Sequence, residues 1–152
     1  NLISTITETI SLNGRERGSV NTLSIGSVTE VFHRIVTCPT GQDTTVATFQ
    51  AETNTTDGAL DLDNVKYIRV TNLDGTHPVN LSLQVAGAEG GTANMSTTIL
   101  LAAGRSFVMG SPHDGIALDD DAEGIVTTLV DLESLLVDPS SNSVSVEVFI
   151  AC

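Results

Sequence analysis

The chain has 152 residues, 40% of them hydrophobic and 3% aromatic, and a formal charge of −13 from 19 acidic against six basic residues. That length fits one domain, residues 1–152, which can bury roughly 70% of its extended-chain surface and so needs neither a metal nor a disulfide to hold a core. An acidic surface repels phosphate backbones and anionic headgroups, which argues against nucleic acid and membrane as partners.

No apolar run reaches the roughly 18 residues of a membrane-spanning helix, and no signal-peptide apolar segment is evident. With no Trp, the core falls to Val, Ile and Leu, and Ser plus Thr make up about a fifth of the chain. β-Branched side chains suit a pleated surface, so the composition predicts sheet.

Period-two alternation recurs along the chain. Residues 6–12 set Ile6, Ile10 and Leu12 against Thr7, Thr9 and Ser11, and residues 1–19 read as an N-terminal arm or edge strand. The segment 13–18, with Gly14 and Gly18, breaks the pattern. Residues 20–38 read as two strands or one strand bent at Gly26, and Pro39 and Gly41 end them. Another strand spans 44–52. Residues 65–73 and 79–86 form the clearest pair, and the short link 74–78 between them predicts a hairpin. The glycine-rich segment 87–91 is a loop. Two short strands, 97–102 and 105–109, flank Ala103 and Gly104, and strands follow at 125–130, 132–137 and 144–150. The last sets Val144, Val146, Val148 and Ile150 on one face. Helix is credible only at 131–136, as about one turn. Some eight to ten short strands at this spacing predict an all-β, antiparallel, jelly-roll-like sandwich.

The chemistry-bearing residues are scattered. Ser111, His113 and Asp114 adjoin in sequence, but triad members converge from different elements, and the nucleophile-elbow spacing is missing. Asp119, Asp121 and Glu123, in the densest acidic run, are candidate oxygen ligands for a cation such as calcium, although an EF-hand pattern is absent. His33, His77 and His113 are not at metal-ligand spacing, and the glycines of 87–91 have no following Lys-Ser/Thr for a phosphate. The sequons at Asn54, Asn80 and Asn94 are close to chance expectation.

Tyr67 is the sole tyrosine, and Phe32, Phe49, Phe107 and Phe149 are assigned to the core, which leaves little to stack on a sugar ring. Cys38 and Cys152 both end strand-like runs. They are separate small hydrophobes or a bridged pair, and a terminal Cys152 also leaves a bridge to another molecule open. Arg15 and Arg17, two of only six positive charges, are interface candidates for an acidic patch on a neighbouring copy. The reading is a non-enzyme without a cofactor.

The run Tyr67-Ile68-Arg69-Val70-Thr71-Asn72, the aliphatic alternation Val79-Asn80-Leu81-Ser82-Leu83-Gln84-Val85, and Ile99-Leu100-Leu101 leading through Gly104 to Phe107 occur in that order. With Leu132–Leu135 and the closing Val146-Glu147-Val148-Phe149-Ile150-Ala151, this resembles small β-sandwich virion proteins of tailed bacteriophages, cyanophages especially, over about residues 65–152. The resemblance implies a capsid cement or decoration protein on the outer shell, or a neck or tail component. Its partners would be the major capsid protein or other virion proteins, and it would form a dimer or trimer. The alternative is an extracellular adhesion module that binds a receptor or glycan.

Overall fold

The alternating runs become strands because branched side chains pack on a pleat and are restricted at χ1 in a helix. The computed structural model describes residues 1–50, 58–85, 95–110, 117–118 and 129–152. Among these the chain order is β1 (Leu2–Thr7), β2 (Ser11–Leu12), β3 (Arg15–Glu16), β4 (Val20–Ile25), β5 (Val31–Cys38), β6 (Thr44–Gln50) and β7 (Leu60–Asp61). A 3-10 turn (Leu62–Asn64) follows, and then β8 (Tyr67–Asn72), β9 (Val79–Val85), β10 (Met95–Leu101), β11 (Ser106–Gly110), β12 (Ala117–Leu118), β13 (Val130–Pro139) and β14 (Val144–Ala151). Of the two readings of 20–38, the structure has the two-strand one, with β4 and β5 separated by residues 26–30.

Eight of these strands build a sandwich. One sheet runs β10-β9-β13-β6 and the other β11-β8-β14-β5; β7 extends the first beside β6, and β12 pairs with β13. Pairing is nested: β5 with β14, β6 with β13, β8 with β11 and β9 with β10, all antiparallel. A single long ribbon of paired strands, with β9 and β10 nearest its tip, has been rolled so that alternate pairs fall in opposite sheets. That is the jelly roll, as expected, with one parallel exception between β6 and β7.

The 65–73 and 79–86 pair is not a hairpin. β8 and β9 lie in opposite sheets, and the link between them turns a corner across the sandwich. Asn72, fully buried, makes that corner: its Oδ1 accepts from Asp74 N at 2.9 Å, and its Nδ2 donates to the carbonyls of His77 (2.9 Å) and Leu101 (3.3 Å). Asp74 Oδ1 then accepts from the backbone N–H groups of Thr76 and His77, both at 2.7 Å. β10 and β11 likewise part into opposite sheets. Alternation states which face a residue occupies and is silent on which strand lies beside it.

The helical turn expected at 131–136 is also corrected. Val130–Pro139 is one long strand between β9 and β6. Leu132 pairs with Val85 and Ser134 with Gln84, so two steps on β13 match one on β9, and Glu133 sits in a β-bulge. The bulge resets the alternation, so Leu132, Leu135 and Val137 all reach the core. A spacing of three, which reads as helix, comes from one extra residue in a strand.

Between the sheets lie Val46, Phe49, Leu81, Leu83, Leu135 and Val137 from one side and Ile68, Val70, Val146, Val148 and Ile150 from the other. Each such side chain contributes about 1.5–3 kcal/mol by leaving water. Phe49 is fully in this core, and Phe32 and Phe107 pack partly against it. Phe149 is not: it stands on the outer face of its sheet, half-covered. The register places Cys38 opposite Val144 and Ala151 opposite Val31, so Cys38 and Cys152 mark opposite ends of β14. Both are free and buried, which rules out a bridge within the chain. Burial pushes the Cys152 thiol up to about 11, so it is a poor nucleophile for a bridge to another molecule.

Candidate functional site: a projecting hairpin

The first 25 residues lie outside the sandwich. β1 pairs with β4 from Leu2–Ile25 to Thr7–Val20, and β2 with β3 through Ser11–Glu16 and Leu12–Arg15, so together they form one long antiparallel hairpin. At its tip Asn13 and Gly14 have φ of 53° and 73°. Both values are left-handed, as in the two-residue turn whose twist matches its strands. Asn-Gly between two short runs was the sequence signal for this arm; reading 13–18 as a simple break passes over it.

Between its two ladders the hairpin widens and is held by side chains. Glu8 N donates to Ser19 O and Arg17 N to Ile10 O, both at 2.8 Å. Glu16 Oε1 accepts from Gly18 N and Ile10 N at 3.0 Å, and these bonds hold its carboxyl below the ordinary carboxylate range. Ser19 Oγ donates to Glu8 Oε2 at 2.8 Å. Gly18 passes so close to Glu8 that a Cβ there would overlap the Glu8 carbonyl.

The root is fixed on the outer face of the β11-β8-β14-β5 sheet. Leu2, Leu23, Ile25 and Val28 cover Tyr67, Ala151 and Phe149. The Cys152 carbonyl accepts from Thr29 N and Glu30 N, Cys152 N donates to Glu30 O, and Lys66 Nζ donates to Ser27 O at 2.9 Å. Beyond the root the arm meets solvent. Ile3 is 67% exposed, Val20 66% and Leu12 57%, and Ile6 and Ile10 are more than half exposed. Lone surface aliphatics are ordinary; this hairpin concentrates five, with Ile3 and Val20 on the face opposite Ile6.

Arg15 and Arg17 sit at the tip, both exposed. Arg15 is paired with Leu12, which puts those two on one face, and Arg17 N bonds to Ile10 O just beyond that ladder, so the tip gathers two aliphatic and two cationic residues. Asp119, Asp121 and Glu123 lie outside the described residues, as do Ser111, His113, Asp114, the glycines of 87–91 and Asn54 and Asn94. Among the described residues no group of three or more His, Cys, Asp or Glu is placed to hold a metal ion. His33 lies on the sheet face and His77 at the β8–β9 corner, so they do not converge.

Three further features stand out, two beside the arm and one on the opposite sheet. On the sheet face beside its root, Glu147 bridges Arg69 Nη1 (2.6 Å) and His33 Nε2 (2.7 Å), and Arg69 and His33 both rest on the Phe149 ring. Arg69, and after it His33, hold the Glu147 carboxyl below its usual range. A shallow groove of about 180 Å³ runs between Leu2, Ile3 and Ser4 on the arm and Tyr67, Arg69 and Phe149. On the opposite sheet, the outward residues of β10, β9 and β13 enclose a depression of about 310 Å³. Asn80, Ser82, Gln84, Ser96 and Thr98 line one side; Leu136, Asp138 and Asp43 line the other.

Comparison of the chain with protein-family models, curated proteins and solved structures finds no match. Among the described residues no helix is long and apolar enough to cross a membrane.

Proposed function

We propose that this chain is a non-enzymatic structural protein of a virion, a cement or decoration protein on the outer shell that stabilises contacts between major capsid subunits. The observation that carries this reading is the arm: a hairpin rooted firmly on a jelly-roll body and lined beyond its root by Ile3, Ile6, Ile10, Leu12 and Val20, which face water. Aliphatic side chains exposed in this way, Ile3 and Val20 on one face of the arm and Ile6 on the other, gain free energy only when another surface covers them, at about 25 cal/mol per Å² of apolar area. A body at −13 is disposed to stay outside a shell that holds polyanionic DNA. The phage-like runs in β8, β9 and β14 support the same setting.

The test is addition of purified protein to particles that lack it. Wild type should co-sediment with them and raise the temperature at which DNA is released, and Ile3→Ser/Val20→Ser, folded by circular dichroism, should do neither. Wild type that fails to bind, or particles equally robust without it, overturns the reading. Hundreds of copies per particle indicate the shell, and a dozen or fewer a neck or tail site. The polar depression on the opposite sheet, lined by hydroxyls, amides and two carboxylates, favours one second reading, an adhesion module for a glycan. Specific retention on a glycan array, lost in Asn80→Ala/Asp138→Ala, would establish that instead.

A further inference from the structure

We propose that the tip of the arm docks into the acidic depression on the β10-β9-β13-β6 sheet of a second copy of this chain. The inference rests on the arm being a binding element and names what its tip binds. The tip gathers Ile10 and Leu12 with Arg15 and Arg17, all four exposed, and its register puts Leu12 and Arg15 on one face. These two arginines are a third of the six positive charges on a molecule of −13. Of the others, Arg69 is engaged by Glu147 and Lys66 by the Ser27 carbonyl, while Arg34 lies over the Phe32 ring and Arg105 is exposed on the link between β10 and β11. Two copies therefore repel each other broadly, and the arm tip is where two positive charges lie closest together in the sequence.

The depression offers what the tip lacks. Asp43 and Asp138 present carboxylates on one side of it, beside Leu136. Leu100, 70% exposed, pairs with Asn80 in the register and so projects from the same face. Guanidinium groups meet carboxylates, and Ile10 and Leu12 meet Leu136 and Leu100. Arginine suits this role because its planar fork pairs bidentately with a carboxylate.

The arm is rooted on the other sheet, so tip and depression are different surfaces and the contact is head-to-tail. It closes into a ring where the rotation permits and otherwise extends as a chain. Tip docking leaves Ile3 and Val20, on the arm face opposite Leu2, for a different partner.

Sedimentation velocity over a concentration series tests this with four samples of full-length protein: wild type, Arg15→Glu/Arg17→Glu, Asp43→Lys/Asp138→Lys, and an equal mixture of the two variants. Wild type should exceed the monomer mass, each variant alone should associate at least tenfold more weakly, and the mixture should recover association because each tip then meets a depression of opposite charge. Salt at 0.5 M should weaken the wild-type assembly. Wild type that stays monomeric to 100 µM, a variant that assembles as wild type does, or a mixture that stays monomeric overturns the inference. Co-sedimentation with particles lacking the protein separates the two readings. A monomer that still binds them overturns the docking alone, and a self-assembling protein that does not bind them overturns the cement function alone.

Discussion

Replacing Asn72 by leucine keeps the branched shape and removes the three side-chain bonds that Asn72 makes at the β8–β9 corner. The carbonyls of His77 and Leu101 and the N–H of Asp74 lose their partner where water does not easily replace it. Each stranded group costs about 1–3 kcal/mol, so Asn72→Leu should lower the unfolding free energy by about 3 kcal/mol in urea titration with an unchanged slope. Glu147 acts on the outer face in a pH-dependent way. Arg69 and His33 depress its carboxyl in the folded protein below the 4.5 it has when free. Its contribution is therefore complete above pH 4.5 and is lost as pH falls through the depressed folded value. Wild type should be more stable than Glu147→Gln at neutral pH, and the gap in melting temperature should close progressively below 4.5. A constant gap down to pH 3 would show that the carboxylate charge does not matter there.

At the scale of elements, Gly18→Val separates arm from body. The new side chain has no room against the Glu8 carbonyl, so residues 8–18 should open to protease while the melting temperature of the sandwich stays within about 2 °C, because the root contacts of Leu2, Leu23 and Ile25 lie elsewhere. Much of the fold was legible in the amino acids: Val144, Val146, Val148 and Ile150 alternate and are buried as their spacing says. What alternation cannot convey is the neighbour. Val79 to Val85 would bury equally well beside β8 or across from it, and the corner held by Asn72, which ties Asp74 and His77 nearby to the distant Leu101 carbonyl, goes with the second arrangement. The bulge at Glu133 shows a second limit, because one inserted residue turns a strand's spacing into a helix's. The arm was half legible. Arg15 and Arg17 stand out by charge, and Asn13-Gly14 is a turn signal, but that the Ile and Leu around them face water depends on the root's seat over Tyr67, which no local pattern contains. The candidate docking depression was not legible, since Asp43, Asn80, Ser96 and Asp138 meet only once the ribbon is rolled.

For the molecule as a whole, 13 excess negative charges crowd more closely in the folded state than in the unfolded chain. Screening them should stabilise, so the melting temperature should rise by about 2–4 °C between 10 and 300 mM NaCl. A fall would mean that attractive pairs such as Arg69–Glu147 outweigh the general repulsion. The nested pairing has its own consequence for synthesis. β14 lies at the centre of its sheet, between β8 and β5, and pairs with both along most of its length. While a ribosome is still making residues 144–151, β5 and β8 are already out of the exit tunnel with the slot between them empty, each presenting an unpaired edge. The hairpin of β1 to β4, by contrast, closes from contacts within its own stretch of chain. Translation thus releases a finished docking element ahead of an unfinished body, and a cell that makes many copies at once must keep those bodies apart until their last strand arrives.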